Sequence, residues 1–189
     1  MTATDTLPFV SVVIPARDEE TAIGRVLLDI SRDAVADIIV VDNGSGDDTA
    51  GVARRAGARV VREDRRGYGQ ACRAGVHALH PDPESVVFLA ADYSDDPTEL
   101  PALLSPILDG RAEMVIGSRT LGHRERGALA PQARVGNWLA TLLIRGIWGA
   151  SFTDLGPFRA IRCDTLRAMQ MRDTTYGWTA CSAWSPYWK

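Results

Sequence analysis

Short apolar runs alternate with amphipathic segments along most of this chain. Residues 9–14, Phe9-Val10-Ser11-Val12-Val13-Ile14, make a β-branched run that stops at Pro15. Proline has no amide proton to donate, which suits the end of a buried strand. Over residues 20–30, Ile23, Val26, Leu27 and Ile30 recur at helical spacing, and Thr21 or an acidic neighbour is placed to cap the first turn. The pair then repeats. Ile38-Ile39-Val40-Val41 predicts a second strand, residues 42–48 a turn, and residues 49–56 a second helix with Asp47 or Asp48 as its cap. Arg59-Val60-Val61-Arg62 predicts a third strand, residues 67–79 a glycine-led helix, and Val86-Val87-Phe88-Leu89 a fourth strand. Asp96 followed by Pro97 and Glu99 opens another helix, because a capping aspartate, a first-turn proline and an early acid all suit a helix amino end. Met114-Val115-Ile116 predicts a fifth strand.

Continuous apolar strands alternating with amphipathic helices predict an α/β fold: a mainly parallel sheet with helices on both faces, joined by right-handed crossovers. The 189 residues, 46% of them hydrophobic, suffice for one domain with a sizeable core and are too few to predict two. Residues 9–178 are assigned to that domain, and residues 1–8 to an extended or disordered amino end. The weakly periodic stretch 120–134 reads as a long loop of the kind that serves as a substrate lid. Residues 138–148, Trp138 to Trp148, are too short to span a bilayer. They read as a packed helix, with a membrane-surface helix as the alternative; the polar face lacks the basic cluster expected at anionic lipid.

Charge and cysteine content narrow the function classes. The formal net charge is -3, and the arginines are scattered, which argues against a nucleic-acid partner. Cys72, Cys163 and Cys181 have neither zinc nor disulfide spacing, and no run reaches the length of a membrane span. A reducing, cytoplasmic setting is expected. His77, His80 and His123 lack metal-ligand spacing and are assigned to the surface or to loops.

In an open parallel sheet, ligands bind beyond the carboxyl ends of the strands, and the polar residues collect there. The first strand delivers Pro15-Ala16-Arg17-Asp18-Glu19, the second Asp42-Asn43-Gly44-Ser45, and the fourth Asp92-Tyr93-Ser94-Asp95-Asp96. Any one such turn is ordinary turn chemistry; their convergence on one edge points to a ligand. After the third strand, Arg65-Arg66-Gly67-Tyr68-Gly69-Gln70 has glycines at a helix start, which can bring backbone amides and arginine close to a phosphate. The first turn lacks the glycine fingerprint of a dinucleotide fold, and no P-loop is present. A phosphate-bearing ligand would therefore need a cation, and Asp92 is the best-placed oxygen ligand for Mg2+ or Mn2+.

Taken in order, Val12-Val13-Ile14-Pro15-Ala16-Arg17-Asp18-Glu19-Glu20, Val40-Val41-Asp42-Asn43-Gly44-Ser45 and Ala90-Ala91-Asp92-Tyr93-Ser94-Asp95-Asp96-Pro97 resemble family 2 glycosyltransferases, especially the dolichyl-phosphate mannosyltransferase-like branch. Gly117-Ser118-Arg119 and Asp154-Leu155-Gly156-Pro157-Phe158-Arg159-Ala160 resemble that branch as well. The resemblance implies a nucleotide-diphospho-sugar transferase (GT-A-like) fold, a UDP- or GDP-linked sugar donor, a metal-dependent hexosyl transfer with inversion, and a polyprenyl-phosphate or hydroxyl acceptor. It implies that Pro15, Ala16, Glu19 and Asp42 hold the nucleoside, with Arg17, Gly44, Ser45, Gly67 and Gly69 in the same donor site. Asp92 matches the last acid of the family's Asp-X-Asp metal motif. Arg119 falls where a cation meets donor or acceptor phosphate, and peripheral contact with the inner face of a membrane is implied.

Two departures bear on catalysis. Ala90 stands where the family has the first acid of its metal motif. Residues two apart on a strand share a face, so acids at 90 and 92 would clamp one cation together. Asp95 could substitute, its other reading being helix-entry turn chemistry; Asp95 and Asp154 are also the candidate bases for a hydroxyl acceptor. Residues 179–189 depart from the family pattern and read as an atypical, truncated or frame-shifted tail. The competing function is a catalytically impaired nucleotide-sugar-binding relative. A sugar nucleotidyltransferase is disfavoured, because no glycine- and basic-rich loop follows the first strand.

Overall fold

The structure is a computed structural model and describes residues 9–79, 83–118, 156–175 and 178. The expectations for the amino end, the 120–134 loop, the 138–148 helix and the tail, and for Arg119, Asp154, His80, His123 and Cys181, lie outside the described residues.

Strands β1 (Val10–Ala16), β2 (Asp37–Asp42), β3 (Arg59–Arg62), β4 (Ser85–Phe88) and β5 (Met114–Ile116) form where the pattern predicts strands, except that β1 does not stop at Pro15 but runs through it to Ala16, with Pro15 in register with Val41. The intervening helices are α1 (Ile23–Asp29), α2 (Thr49–Arg55), α3 (Tyr68–His77) and α4 (Leu100–Leu108). Helix α1 is shorter than the 20–30 pattern predicts. Glu20 spends its backbone amide and its carboxylate on the neighbouring turn, so the helix opens only at Ile23. Asp96 caps as expected, its Oδ1 accepting from Thr98 N at 2.9 Å, and Pro97–Glu99 forms a single 3-10 turn leading into α4.

The six strands run in the order β3-β2-β1-β4-β6-β5. β1 pairs in parallel with β2 and β4, and β2 with β3. The sequence pattern did not predict β6 (Arg159–Arg162), which lies antiparallel between β4 and β5 and is followed by α5 (Cys163–Ala168). The sheet is therefore mixed, five strands pointing one way and one the other. Alternation along β1 divides the core between the two faces. Val10, Val12 and Ile14 pack with Ile23, Leu27, Ala53 and Leu104 on one side. Val13 packs with Ile39, Val41, Cys72, Phe88 and Leu166 on the other.

Helix α3 lies so close to the sheet that a Cβ at Gly75 would fall 2.3 Å from Val13 Cγ1. This glycine is a packing requirement, and it brings the amino end of α3 down onto the strand ends. Among the described residues, no helix is long and apolar enough to cross a membrane.

Candidate functional site

The turns after β1 and β2 are laced together by their own side chains. Ser45 Oγ accepts from Asp18 N at 3.1 Å, and Asp18 Oδ1 accepts from Gly46 N at 2.7 Å. Asp47 Oδ2 accepts from Glu20 N at 3.1 Å, and Glu20 Oε2 accepts from Asp48 N at 2.9 Å. Thr49 Oγ1 accepts from Glu19 N at 2.8 Å. The hydrogen bond from Thr49, followed by backbone donors, holds the Asp47 carboxyl below the usual carboxylate range. Asp18 adopts a positive φ of 57°, which the Gly46 and Ser45 bonds hold in place. Ser45 and Gly44 (φ 77°) thus shape the turn.

Asp42 is 3% exposed. Its Oδ1 accepts from Ser45 N at 2.9 Å, and its Oδ2 lies 3.6 Å from Arg62 Nη1. Asn43 beside it is the joint of the site. Its Nδ2 donates to Glu63 O and Arg65 O, both at 2.8 Å, and its Oδ1 accepts from Gly67 N at 2.9 Å. One side chain therefore pins the whole loop from β3 to α3 onto the end of β2.

Between that loop and the end of β1 lies a cavity of about 350 Å³. Of the predicted donor residues, Pro15, Ala16, Arg17 and Gly67 line it. Asn43, Arg66, Tyr68 and Ala71 complete the lining; the sequence pattern brings Asn43 to this edge and an arginine of residues 65–66 toward a phosphate, but singles out neither Tyr68 nor Ala71. Glu19, Asp42, Gly44, Ser45 and Gly69 are not among the lining residues. At the start of α3, three backbone amides have acceptors within the protein. Gly67 N donates to Asn43, Gly69 N to Thr175 O at 3.1 Å and Gln70 N to Thr174 O at 3.1 Å, so protein acceptors already take them.

Tyr68 lines the cavity while its hydroxyl is buried. Burial pushes its pKa well above the usual phenol value, the nearby Cys72 adds to this, and Arg159 opposes it. Burial pushes the Cys72 thiol up to about 12, which rules it out as a nucleophile near neutral pH.

In the turn after β4, Asp92 is exposed and its Oδ1 accepts from Ser94 N at 3.0 Å. Tyr93, at φ 60°, anchors this turn to α1: its hydroxyl donates to Asp29 Oδ2 at 2.5 Å, and the Arg25 guanidinium sits 4.1 Å from the ring centroid. Glu19 is raised above the usual carboxylate range, first by burial and then by the charges of Asp92, Asp47 and Asp18. Asp92 and Glu19 therefore share one acidic field. Asp95 is 6% exposed, and its charge is felt at the Tyr68 hydroxyl. Among the described residues, no group of three or more His, Cys, Asp or Glu side chains gathers to hold a metal. Asp92 offers a hard oxygen ligand of the kind Mg2+ and Mn2+ prefer.

Comparison with known proteins agrees with this geometry. The family model described as "Glycosyl transferase family 2" matches residues 11–169. An uncharacterized glycosyltransferase of Mycobacterium tuberculosis (strain ATCC 25618 / H37Rv) is 38% identical over 170 residues, covering 89% of this chain and 74% of that protein. A dolichyl-phosphate hexose transferase of Haloferax volcanii is 36% identical over 168 residues, covering 87% and 71%. Among solved structures, glucosyl-3-phosphoglycerate synthase from Mycobacterium tuberculosis, in complex with Mn2+, UDP-glucose and phosphoglyceric acid, superposes with a TM-score of 0.72 at 28% identity. That match covers 91% of this chain and 62% of the synthase, so the chain spans less than two thirds of the solved protein. With the cavity at the strand ends, the mixed six-stranded sheet and a family match over most of its length, this chain belongs to glycosyl transferase family 2.

Proposed function

We propose that this protein is a metal-dependent hexosyltransferase, moving a sugar from a UDP- or GDP-linked donor to a polyprenyl phosphate or a hydroxyl acceptor. The cavity at the ends of β1, β2 and β3 carries the reading. Pro15, Ala16, Tyr68 and Ala71 supply partly apolar walls for a base, while Arg17 and Arg66 supply cations for phosphate. The M. tuberculosis synthase that superposes on this chain binds UDP-glucose and Mn2+, and the Haloferax relative is named for transfer to dolichyl phosphate. Both support the donor and acceptor classes.

Asp92 would hold Mg2+ or Mn2+ with the donor's phosphate oxygens, Glu19 adding negative charge nearby. When bound, the cation neutralises charge building on the diphosphate leaving group. Arg119 is assigned to donor or acceptor phosphate. A phosphate acceptor is already ionised and needs little help from a base, whereas a hydroxyl acceptor needs a carboxylate within hydrogen-bonding reach, Asp95 or Asp154. A polyprenyl acceptor would place the protein at the cytoplasmic face of a membrane, as a peripheral component.

Ala90 favours a second reading, a relative that binds nucleotide sugar without transferring it. Calorimetry with UDP and GDP, with Mn2+ and with chelator, separates the readings when combined with a donor-hydrolysis assay on wild type, Asp92→Ala and Ala90→Asp. One nucleotide should bind more tightly with Mn2+, Asp92→Ala should abolish that increment, and Ala90→Asp should raise turnover. Failure of folded wild type to bind either nucleotide would overturn the donor-site reading. Binding without hydrolysis or transfer would select the second.

A further inference from the structure

Three arginines lie at the end of β3 and in the loop that leads to α3, and the structure separates them by what each already holds. Arg62 lies 2.7 Å from Asp64 and 3.6 Å from Asp42. Arg65 grips Glu63 with two side-chain bonds, at 3.0 and 2.9 Å, and holds that carboxyl down to about 2. Arg66 makes no ion pair among the described residues, yet it alone of the three lines the cavity. The second cavity arginine, Arg17, is partly committed to Asp18 at 3.5 Å.

The loop that carries Arg66 is rigidly mounted. Asn43 binds the backbone on either side of it, at Arg65 O and Gly67 N, and the segment 174–175 accepts from Gly69 N and Gln70 N. The backbone is thus fixed while the side chain keeps its charge available. A guanidinium so placed is suited to a phosphate, because its planar donor fork matches two phosphate oxygens at once. Its neighbours have the opposite arrangement: their charge is spent within the loop.

We propose that Arg66 is a phosphate-binding residue of the cavity, a direct protein contact to the donor's diphosphate that operates independently of the metal. This rests on the donor-site reading above. Asp92 acts through a cation, so its contribution vanishes with chelator; that of Arg66 persists.

The test is calorimetry on wild type, Arg66→Ala and Arg66→Lys with UDP, GDP and the corresponding nucleosides, each with Mn2+ and with chelator. Arg66 is exposed, so the variants should melt with wild type, and a thermal scan verifies this. Arg66→Ala should lose about tenfold to a hundredfold in affinity for the nucleoside diphosphate, the range expected for hydrogen bonds to a charged group. The loss should be similar in both metal conditions, with nucleoside affinity unchanged and Arg66→Lys recovering part of it. Unchanged diphosphate affinity in Arg66→Ala, or an equal loss for nucleoside and diphosphate, overturns the assignment while the donor site stands. Wild type that binds neither nucleotide overturns the donor-site reading and this assignment with it.

Discussion

Replacing Asn43 by aspartate changes one nitrogen to an oxygen and should unseat a whole wall of the site. The amide donates to Glu63 O and Arg65 O at 2.8 Å each and accepts from Gly67 N at 2.9 Å, with the residue 6% exposed. A carboxylate keeps the bond from Gly67 but turns an oxygen toward two carbonyl oxygens, beside the buried Asp42. Leaving a buried polar group unsatisfied costs about 1–3 kcal/mol. Two carbonyls near a partly exposed loop then put Asn43→Asp at about 2–4 kcal/mol. At about 2–4 °C per kcal/mol for a domain of this size, Tm should fall by roughly 5–15 °C in a circular-dichroism melt near neutral pH. Nucleotide affinity should fall as well, because Arg66 and Gly67 lose their mount. A melt within about 2 °C of wild type, a small fraction of the shift expected from these bonds, would refute the reasoning, since it would mean that the two carbonyls do not depend on this amide.

Glu19 titrates above the ordinary carboxylate range because it is partly buried and faces Asp92, Asp47 and Asp18. Its raised folded-state pKa means that the ionised form burdens the fold, fully so above that pKa, and that the burden disappears as pH falls below the unfolded value. In chelator, Glu19→Gln should therefore raise Tm at neutral pH and leave it unchanged at strongly acidic pH; a gain of equal size at both would exclude the electrostatic cause. Gly75→Ala should destabilise by about 1–3 kcal/mol in a urea titration, the usual cost of overpacking. Its Cβ would lie 2.3 Å from Val13 Cγ1, and Val13 is 0% exposed with no room to retreat. Wild-type stability there would show that α3 can lift from the sheet at no cost.

The alternation of apolar runs with helical spacing determined five strands, four helices and the edge where polar residues collect, because each of those signals is local. Ile38 to Val41 can be little other than a buried strand, and Asp96 followed by Pro97 opens a helix with no help from distant residues. Strand β6 was not legible for the opposite reason. Arg159-Ala160-Ile161-Arg162 begins and ends in charge, and Arg159 is buried at 2% exposure by bonding back to the carbonyls of Gly156 and Pro157, a compensation that no periodicity announces. The site divides in the same way. Pro15 and Ala16 close β1 and Arg17 follows it, so position in sequence was enough to find them. Asn43 looked like any turn residue, because its partners lie 20 to 24 positions away. Only tertiary structure could show that the glycine amides after β3 have protein acceptors and that Arg66, unlike Arg62 and Arg65, lines the cavity and makes no ion pair among the described residues. Local chemistry determines which elements form; which polar groups remain available to a ligand depends on what the rest of the fold has already bound.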